Sequence, residues 1–269
     1  MRKAAWLAAA LSLVAAQGSA DVWDVSVPND DTIVNTPNFL VHGARQVHDL
    51  EVRPGPVADE DWYMVYTLPY SSYEFLQDGT TGATVVPTRL TVERTDVTGT
   101  VLQTGRNLGN QINWADAITM SWENATAATQ FDLVRVTSPA CGISCTSNEQ
   151  YTVRFYETTY SIPRFNNAGG QLTVLILQNL NTVPAGVTPV HGTVHFWSTA
   201  GSLLATHVFS LSALETLVVN TASIPGAAGV GGAITVSNDG RYGQLSGKAV
   251  ALEPATGFSF DSPMTPKPH

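Results

Sequence analysis

The chain has 269 residues, with 13 basic and 22 acidic side chains and a formal net charge of −9. This acidic balance argues against nucleic acid and anionic lipid as partners, because phosphate groups are bound by basic patches. Charged residues make up 13% of the chain, well below the roughly 25% of an average domain. Neutral polar residues fill the remaining polar positions, as is common in extracellular β-proteins.

Residues 1–20 have the pattern of a secretory signal, with a basic start followed by an apolar run. The run is too short to span a bilayer. Small side chains at Gly18 and Ala20 precede a predicted cut before Asp21. We therefore expect the mature chain to have no transmembrane segment and to be secreted, periplasmic or located at the cell surface.

Apolar and polar side chains alternate in three stretches, which is the pattern of half-buried strands. These stretches are Trp62–Leu68, Ile118–Trp122 and Tyr151–Phe155. Turn residues separate them, and no window of a dozen residues carries a convincing helical stripe. The sequence therefore predicts an all-β fold of two antiparallel, jelly-roll-like β-sandwiches.

The composition changes near residue 160, where charged residues become sparse. The run Leu172–Leu177 is apolar on both faces, which predicts the central strand of a sandwich. We place a boundary at Ser161–Pro163. The predicted units are an N-terminal sandwich domain (21–160), a C-terminal sandwich domain (161–261) and a loose proline-rich tail (262–269).

Two cysteines, Cys141 and Cys145, are separated by three residues. In an oxidising compartment, a close pair is most simply a disulfide that closes a small loop. Such a loop contributes about 2 kcal/mol or less. A redox pair would have the spacing Cys-x-x-Cys, and a zinc site would need two more ligands nearby, so a structural disulfide is favoured.

Asp59 and Asp61 precede a predicted strand at alternating positions, as oxygen ligands of Ca²⁺ often do. Calcium takes six to eight oxygen ligands, and only two carboxylates are present locally, so a solvated turn at the start of the strand is favoured over a calcium site. Glu60 lies between them and faces the other way, so these residues do not form a glycosidase pair by themselves.

Three histidines, His191, His195 and His207, suggest a different metal site. If the hairpin after His195 pairs residues whose numbers sum to 402, all three imidazoles share one face and could hold zinc or copper. If the sum is 401, His207 moves to the opposite face. The first register gives the more consistent apolar face. The alternative to a metal site here is a row of surface histidines beside Trp197. For the whole chain we expect no cofactor, and the alternatives to this expectation are calcium and zinc.

Two sets of residues resemble known groups. The segments Tyr151–Asn167, Ser237–Gly243 and Gly247–Asp261 are similar to signatures of a group of uncharacterised exported bacterial proteins, which implies compartment and fold class only. The stretch Ala58–Tyr63 is similar to the Asp-x-Asp-Trp-Tyr/Phe element of bacterial pre-peptidase C-terminal domains. That resemblance implies a non-catalytic jelly-roll module.

No familiar catalytic motif occurs: the chain has no Gly-x-Ser-x-Gly elbow, no His-Glu-x-x-His and no Walker loop. The sequence favours an exported, non-catalytic binding or structural protein whose partner is a glycan or a cell-envelope component. One alternative is a carbohydrate-binding accessory protein, since exposed rings could stack on sugars. The candidate rings are Trp62, Tyr63, Tyr66, Tyr70 and Tyr73. A second alternative is a secreted hydrolase, which would need a deep polar pocket with perturbed carboxylates or histidines.

Overall fold

A computed structural model of the chain describes 23, 30–33, 36, 38–51, 59–81, 90–108, 117–141, 145–181 and 189–268. In these ranges β-strands are the dominant structure, and one short 3-10 turn occurs at Thr221–Ser223. The described residues include no helix that is long and apolar enough to span a bilayer. The predicted signal lies outside the described residues.

Two five-stranded sheets contain the strands that precede residue 158, and they form the N-terminal sandwich. The first sheet has the order β1 (Phe39–Leu40), β3 (Glu60–Thr67), β9 (Gln130–Thr137), β5 (Thr91–Thr95) and β6 (Val101–Thr104). The second sheet has the order β2 (Ala44–Asp49), β10 (Gln150–Glu157), β4 (Ser71–Asp78), β8 (Ile118–Asn124) and β7 (Arg106–Asn107). Strands β1 and β3 are parallel, and the other paired strands are antiparallel.

Two further sheets form the C-terminal sandwich. One has the order β14 (Leu203–Leu211), β13 (Val190–Ser198), β16 (Gly231–Asn238), β11 (Tyr160–Asn166) and β19 (Thr265–Pro266). The other has the order β15 (Thr216–Asn220), β12 (Leu172–Asn179), β17 (Leu245–Glu253) and β18 (Phe258–Pro263). The predicted all-β, sandwich-type fold is confirmed.

Each sandwich has its own apolar core. In the first, Tyr63 of β3 and Phe75 of β4 belong to one buried cluster. In the second, Leu175 of β12 and Phe196 of β13 belong to another. Full burial of one such side chain contributes about 1.5–3 kcal/mol. The cores separate near Tyr160, close to the predicted boundary, and the division into two domains stays a prediction.

The three alternating stretches are confirmed as strands, since they lie in β3, β8 and β10, apart from Leu68, which follows the end of β3. The apolar run Leu172–Leu177 lies in β12, which is central because β15 and β17 pair with its two edges. Its two faces differ, however. Leu175 and Leu177 are fully buried, whereas Val174 and Ile176 are only half-buried. The outer face of this sheet is therefore incompletely covered.

The prediction of a loose C-terminal tail is wrong. Strand β18 pairs with β17, and β19 pairs with the start of β11. The Lys267 ammonium then lies 2.5 Å from the Glu157 carboxylate on β10. Pro263 in β18 and Pro266 in β19 are accommodated because both strands lie at sheet edges, where a missing backbone N–H is tolerated. The C-terminal segment therefore connects the two sandwiches.

The predicted disulfide between Cys141 and Cys145 is confirmed, with Cα atoms 5.0 Å apart. Both cysteines belong to the core of the N-terminal sandwich. The bond therefore attaches the segment between β9 and β10 to that core.

Candidate functional site

Three buried polar side chains lie between the two sheets of the N-terminal sandwich, and we call them the Asp–His cluster: Asp30, His48 and Asp61. His48 lies on β2 and Asp61 on β3, so each sheet contributes one residue. The backbone carbonyl of Asp30 accepts a hydrogen bond from the Trp62 amide at 2.9 Å, which positions Asp30 beside β3. One potential ligand atom from each of the three lies within 4.8 Å of the others, and all three side chains are fully buried.

The imidazole of His48 is central to the cluster. Its Nδ1 lies 3.6 Å from Asp30 Oδ2 and 3.5 Å from Asp61 Oδ1. Its Nε2 lies 3.0 Å from the side-chain oxygen of Gln46. The Asn38 amide donates to Asp30 Oδ2 at 3.3 Å. An imidazole beside two carboxylates is a donor set that can bind a divalent cation.

Two buried tyrosines support the cluster from the core side. Tyr151 lies opposite His48 across the β2–β10 pairing and donates its O–H to Asp61 Oδ2. The hydroxyl of Tyr63 lies 2.9 Å from that of Tyr151. Burial, together with the neighbouring Asp61 charge, raises the pKa of Tyr151 well above its ordinary value. Tyr151 therefore stays neutral and keeps its proton available to Asp61.

The favoured interpretation of Asp59 and Asp61 as a solvated turn is wrong. Asp59 is 7% exposed and Asp61 is fully buried. Asp61 shares the core-facing side of β3 with Tyr63 and Val65, because side chains two positions apart face the same way. The structure brings Asp61 together with Asp30 and His48, and Asp59 is not part of that group. No sequence motif marks Asp30 and His48, since their spacing matches no known ligand pattern.

The structure does not bring the three predicted histidine ligands together. Strands β13 and β14 pair with residue numbers that sum to 401, so that Val194 lies opposite His207 and His195 opposite Thr206. The preferred register, in which the paired residue numbers sum to 402, is therefore wrong. His207 lies on the face opposite to that of His195. His191 is half-exposed, and its Nδ1 lies 3.0 Å from Asp239.

His195 is buried where the two sandwiches meet. It is 1% exposed, and its ring contacts Tyr70, which lies between β3 and β4, at a centroid distance of 5.1 Å. Trp197 packs against both rings. Burial lowers the pKa of His195 to about 4. His195 is therefore a neutral part of the interface between the sandwiches.

Three aromatic side chains on neighbouring strands of the first sheet form what we call the aromatic strip: Phe39 on β1, Tyr66 on β3 and Phe131 on β9. Phe39 is 47% exposed and Tyr66 is 55% exposed. Their ring planes are 9° from parallel, with centroids 5.9 Å apart. Phe131 lies directly opposite Tyr66 in the β3–β9 pairing, with its ring tilted by 56°.

Tyr66 is the one member of this strip among the five rings that the sequence singles out. Of the five predicted rings, Trp62, Tyr63 and Tyr73 are buried, and Tyr70 is partly buried at the contact between the sandwiches. The other two members, Phe39 and Phe131, lie on neighbouring strands and are 27 and 65 positions away from Tyr66 in the sequence. Only the strand order brings these residues together, so no local pattern could have revealed them.

The described residues also line a cavity of about 190 Å³ where the two sandwiches meet. Its lining includes Gln103, Arg106 and Thr119 from one sandwich and Asp239, Arg241 and Gln244 from the other. Asp239 is the one carboxylate in this lining, and it is paired with His191. A glycosidase uses two carboxylates that flank the scissile bond.

Glu74, close to this cavity, holds the two sandwiches together. It is 2% exposed, and its carboxylate accepts hydrogen bonds from the Thr119 hydroxyl at 2.6 Å and the Arg241 side chain at 3.3 Å. It also accepts one from the Tyr242 amide at 2.8 Å. A carboxylate engaged in this way acts as a structural connector.

Comparison with known proteins gives little further information. No family model matches the chain, and no curated protein matches it. Among solved structures, a β-glucuronidase from glycoside hydrolase family 2 is similar over 80% of this chain and 25% of that one, with 10% identity and a TM-score of 0.20. The extracellular region of zebrafish Gpr126/Adgrg6 is similar over 84% of this chain and 31% of its own length, with 8% identity and a TM-score of 0.23.

A putative β-galactosidase from Bacteroides fragilis is similar over 89% of this chain and 35% of its own length, with 15% identity and a TM-score of 0.19. The chain therefore spans about a quarter to a third of the length of these proteins. Likenesses at these TM-scores assign no function to this chain.

Proposed function

We propose that this chain is an exported, non-catalytic binding protein that holds carbohydrate on the aromatic strip. The observation that carries the proposal is the exposure of Phe39 and Tyr66 side by side on one sheet. Large aromatic rings usually bury most of their surface, and a group of them left exposed marks a binding surface.

The chemistry of the strip suits a sugar ring. One face of a pyranose presents C–H groups with a partial positive charge, which pack on the electron-rich face of an aromatic ring. Phe39 and Tyr66 have nearly parallel ring planes, and Phe131 adjoins Tyr66 on a third strand with its ring tilted by 56°. The hydroxyl of Tyr66 adds a group that both donates and accepts hydrogen bonds, as sugar hydroxyls require.

One further observation supports the rest of the proposal. The disulfide between Cys141 and Cys145 supports export, because such bonds persist in oxidising compartments.

The test is electrophoresis of the protein through gels that contain soluble polysaccharides, including cell-wall glycans. We expect at least one glycan to retard the wild type, and Tyr66→Ala to weaken the affinity about tenfold or more, which corresponds to about 1.4 kcal/mol. The control is Val208→Ala, since Val208 is 75% exposed on the other sandwich and is not aromatic. Retardation by no glycan, or equal retardation of Tyr66→Ala and the wild type, would overturn the proposal.

A further inference from the structure

We propose that the Asp–His cluster binds one divalent transition-metal ion, with Zn²⁺ as the best match, through Asp30, His48 and Asp61. This site lies inside the N-terminal sandwich and is separate from the aromatic strip. The inference therefore does not depend on carbohydrate binding, and either proposal can fail alone.

The orientation of His48 favours a metal ion. The side-chain oxygen of Gln46 lies 3.0 Å from Nε2, closer than the Asn38 side-chain nitrogen at 3.5 Å, and since this oxygen can only accept a hydrogen bond, the closer contact favours a hydrogen on Nε2. A neutral imidazole then presents a lone pair at Nδ1, and Nδ1 faces the carboxylates of Asp30 and Asp61. Two buried carboxylates beside a neutral imidazole need a compensating positive charge.

A proton on Nδ1 is one source of that charge, and the distances argue against it. Charge-assisted N–H···O hydrogen bonds are about 2.7–2.9 Å long. The separations from His48 Nδ1 are 3.5 Å and 3.6 Å. Ligands about 2.1 Å from a tetrahedral zinc ion are about 3.4 Å apart. The observed separations therefore fit ligands that share a metal better than groups that share a proton.

Within the described part of the chain, Asp61 has one carboxylate oxygen without a hydrogen bond, which also favours a metal ion. Its side chain is fully buried, and its Oδ1 accepts no hydrogen bond from any described residue. Leaving a buried carboxylate oxygen unpaired is costly. The other oxygen, Oδ2, accepts a hydrogen bond from Tyr151. Carboxylates that bind metals are commonly held by such a hydrogen bond from a second residue. Oδ1 is thus the atom left to coordinate an ion.

The donor set selects the type of metal. Calcium takes six to eight oxygen ligands, whereas this cluster offers one imidazole nitrogen and two carboxylates. Zinc accepts nitrogen and carboxylate oxygen together, and three protein ligands leave a fourth position for water. Two carboxylates also balance the charge of a divalent ion.

The experiment is calorimetric titration of untagged, chelator-treated protein with Zn²⁺, Co²⁺ and Ca²⁺. We expect one Zn²⁺ per chain, no stoichiometric Ca²⁺, and a Co²⁺ complex with the visible absorption of tetrahedral cobalt. Asp61→Asn should lower the Zn²⁺ affinity more than about 100-fold, because losing even an outer partner of a ligand costs about 10–100-fold.

Gln46→Ala keeps the test decisive if Asp61→Asn fails to fold. Gln46 is only partly buried, and its loss removes the group that orients His48, so we expect Zn²⁺ to bind about 10–100-fold more weakly. The matched control is Glu60→Gln. Glu60 precedes Asp61 on β3 and has a partly exposed side chain, so this variant should bind Zn²⁺ as the wild type does. Absence of stoichiometric Zn²⁺, or an unchanged affinity in both Asp61→Asn and Gln46→Ala, would overturn the proposal.

Discussion

The two sandwiches share an architecture and differ in what they bury. All of the buried carboxylates among the described residues lie before residue 150. They are Asp30, Asp49, Asp59, Asp61, Glu74, Asp132 and Glu149. The described part of the C-terminal sandwich buries none. Similar sheets can thus enclose an interior with buried carboxylates or one without them, and the first requires partners for each buried charge.

Asp132 shows what the polar interior costs. It lies 3.3 Å from Arg94, whose guanidinium packs over the Trp122 ring in the same core. Burial raises the pKa of the Asp132 carboxyl, although Arg94 opposes that change. A paired charge inside the N-terminal sandwich is therefore still less favourable than one in water, and we expect this sandwich to depend more on specific polar contacts.

The largest effect should come from the apolar interior. Phe196 is fully buried and packs edge to face with Phe165 at a centroid distance of 5.3 Å. Phe196→Ala should lower the free energy of unfolding by about 3–5 kcal/mol, measured by denaturant titration. Val208→Ala is the control, since Val208 is 75% exposed and should change stability by no more than about 0.5 kcal/mol. A loss below about 1 kcal/mol at Phe196 would show that packing does not dominate this core.

The second effect concerns pH and the contact between the sandwiches. The pKa of His195 is lowered to about 4 by burial, against about 6.5 in an unfolded chain. Between these values the unfolded chain binds a proton that the folded chain does not, so the free energy of unfolding falls as the pH is lowered. The loss should reach about 2–3 kcal/mol between pH 7 and pH 4.

Other groups titrate in the same range, so the measurement is the difference between wild type and His195→Gln. Denaturation curves at several pH values should show a shallower dependence for the variant. If the two proteins lost stability in parallel from pH 7 to pH 4, His195 would not be buried in its neutral form.

The third effect breaks the polar interior. Tyr151→Phe removes the hydroxyl that donates to Asp61 and leaves a buried carboxylate with one contact fewer. We expect the free energy of unfolding to fall by about 1–3 kcal/mol in metal-free protein. Tyr66→Phe removes the same hydroxyl from an exposed ring and should be nearly neutral. Equal losses in the two variants would mean that the polar interior contributes no more than the surface does.

The sequence predicted what depends on alternation along one strand. Fold class, the strands β3, β8 and β10, and the disulfide between Cys141 and Cys145 all follow from local pattern or spacing. The Asp–His cluster and the aromatic strip could not be predicted in this way. Their members lie on different strands, and only the strand order brings them together.

The hairpin of β13 and β14 shows how a local pattern can mislead. Matching Val194 with Val208 favoured the register of 402, yet Val208 is exposed and Val194 lies opposite His207. The turn determines the register: Gly201 adopts a positive φ of 80°, and an irregularity after Phe196 shifts the pairing by one residue. A shift of one residue moves every side chain to the other face.

The smallest effect concerns the C-terminal segment that connects the two sandwiches. Lys267 is 48% exposed, so its contact with Glu157 is screened by water and should contribute about 0.2–1 kcal/mol. A double-mutant cycle with Lys267→Met and Glu157→Gln measures this coupling directly, and added salt should reduce it. A coupling above about 2 kcal/mol that resists salt would instead indicate a desolvated pair. The polar contribution to stability would then extend from the interior of the N-terminal sandwich to its junction with the C-terminal one.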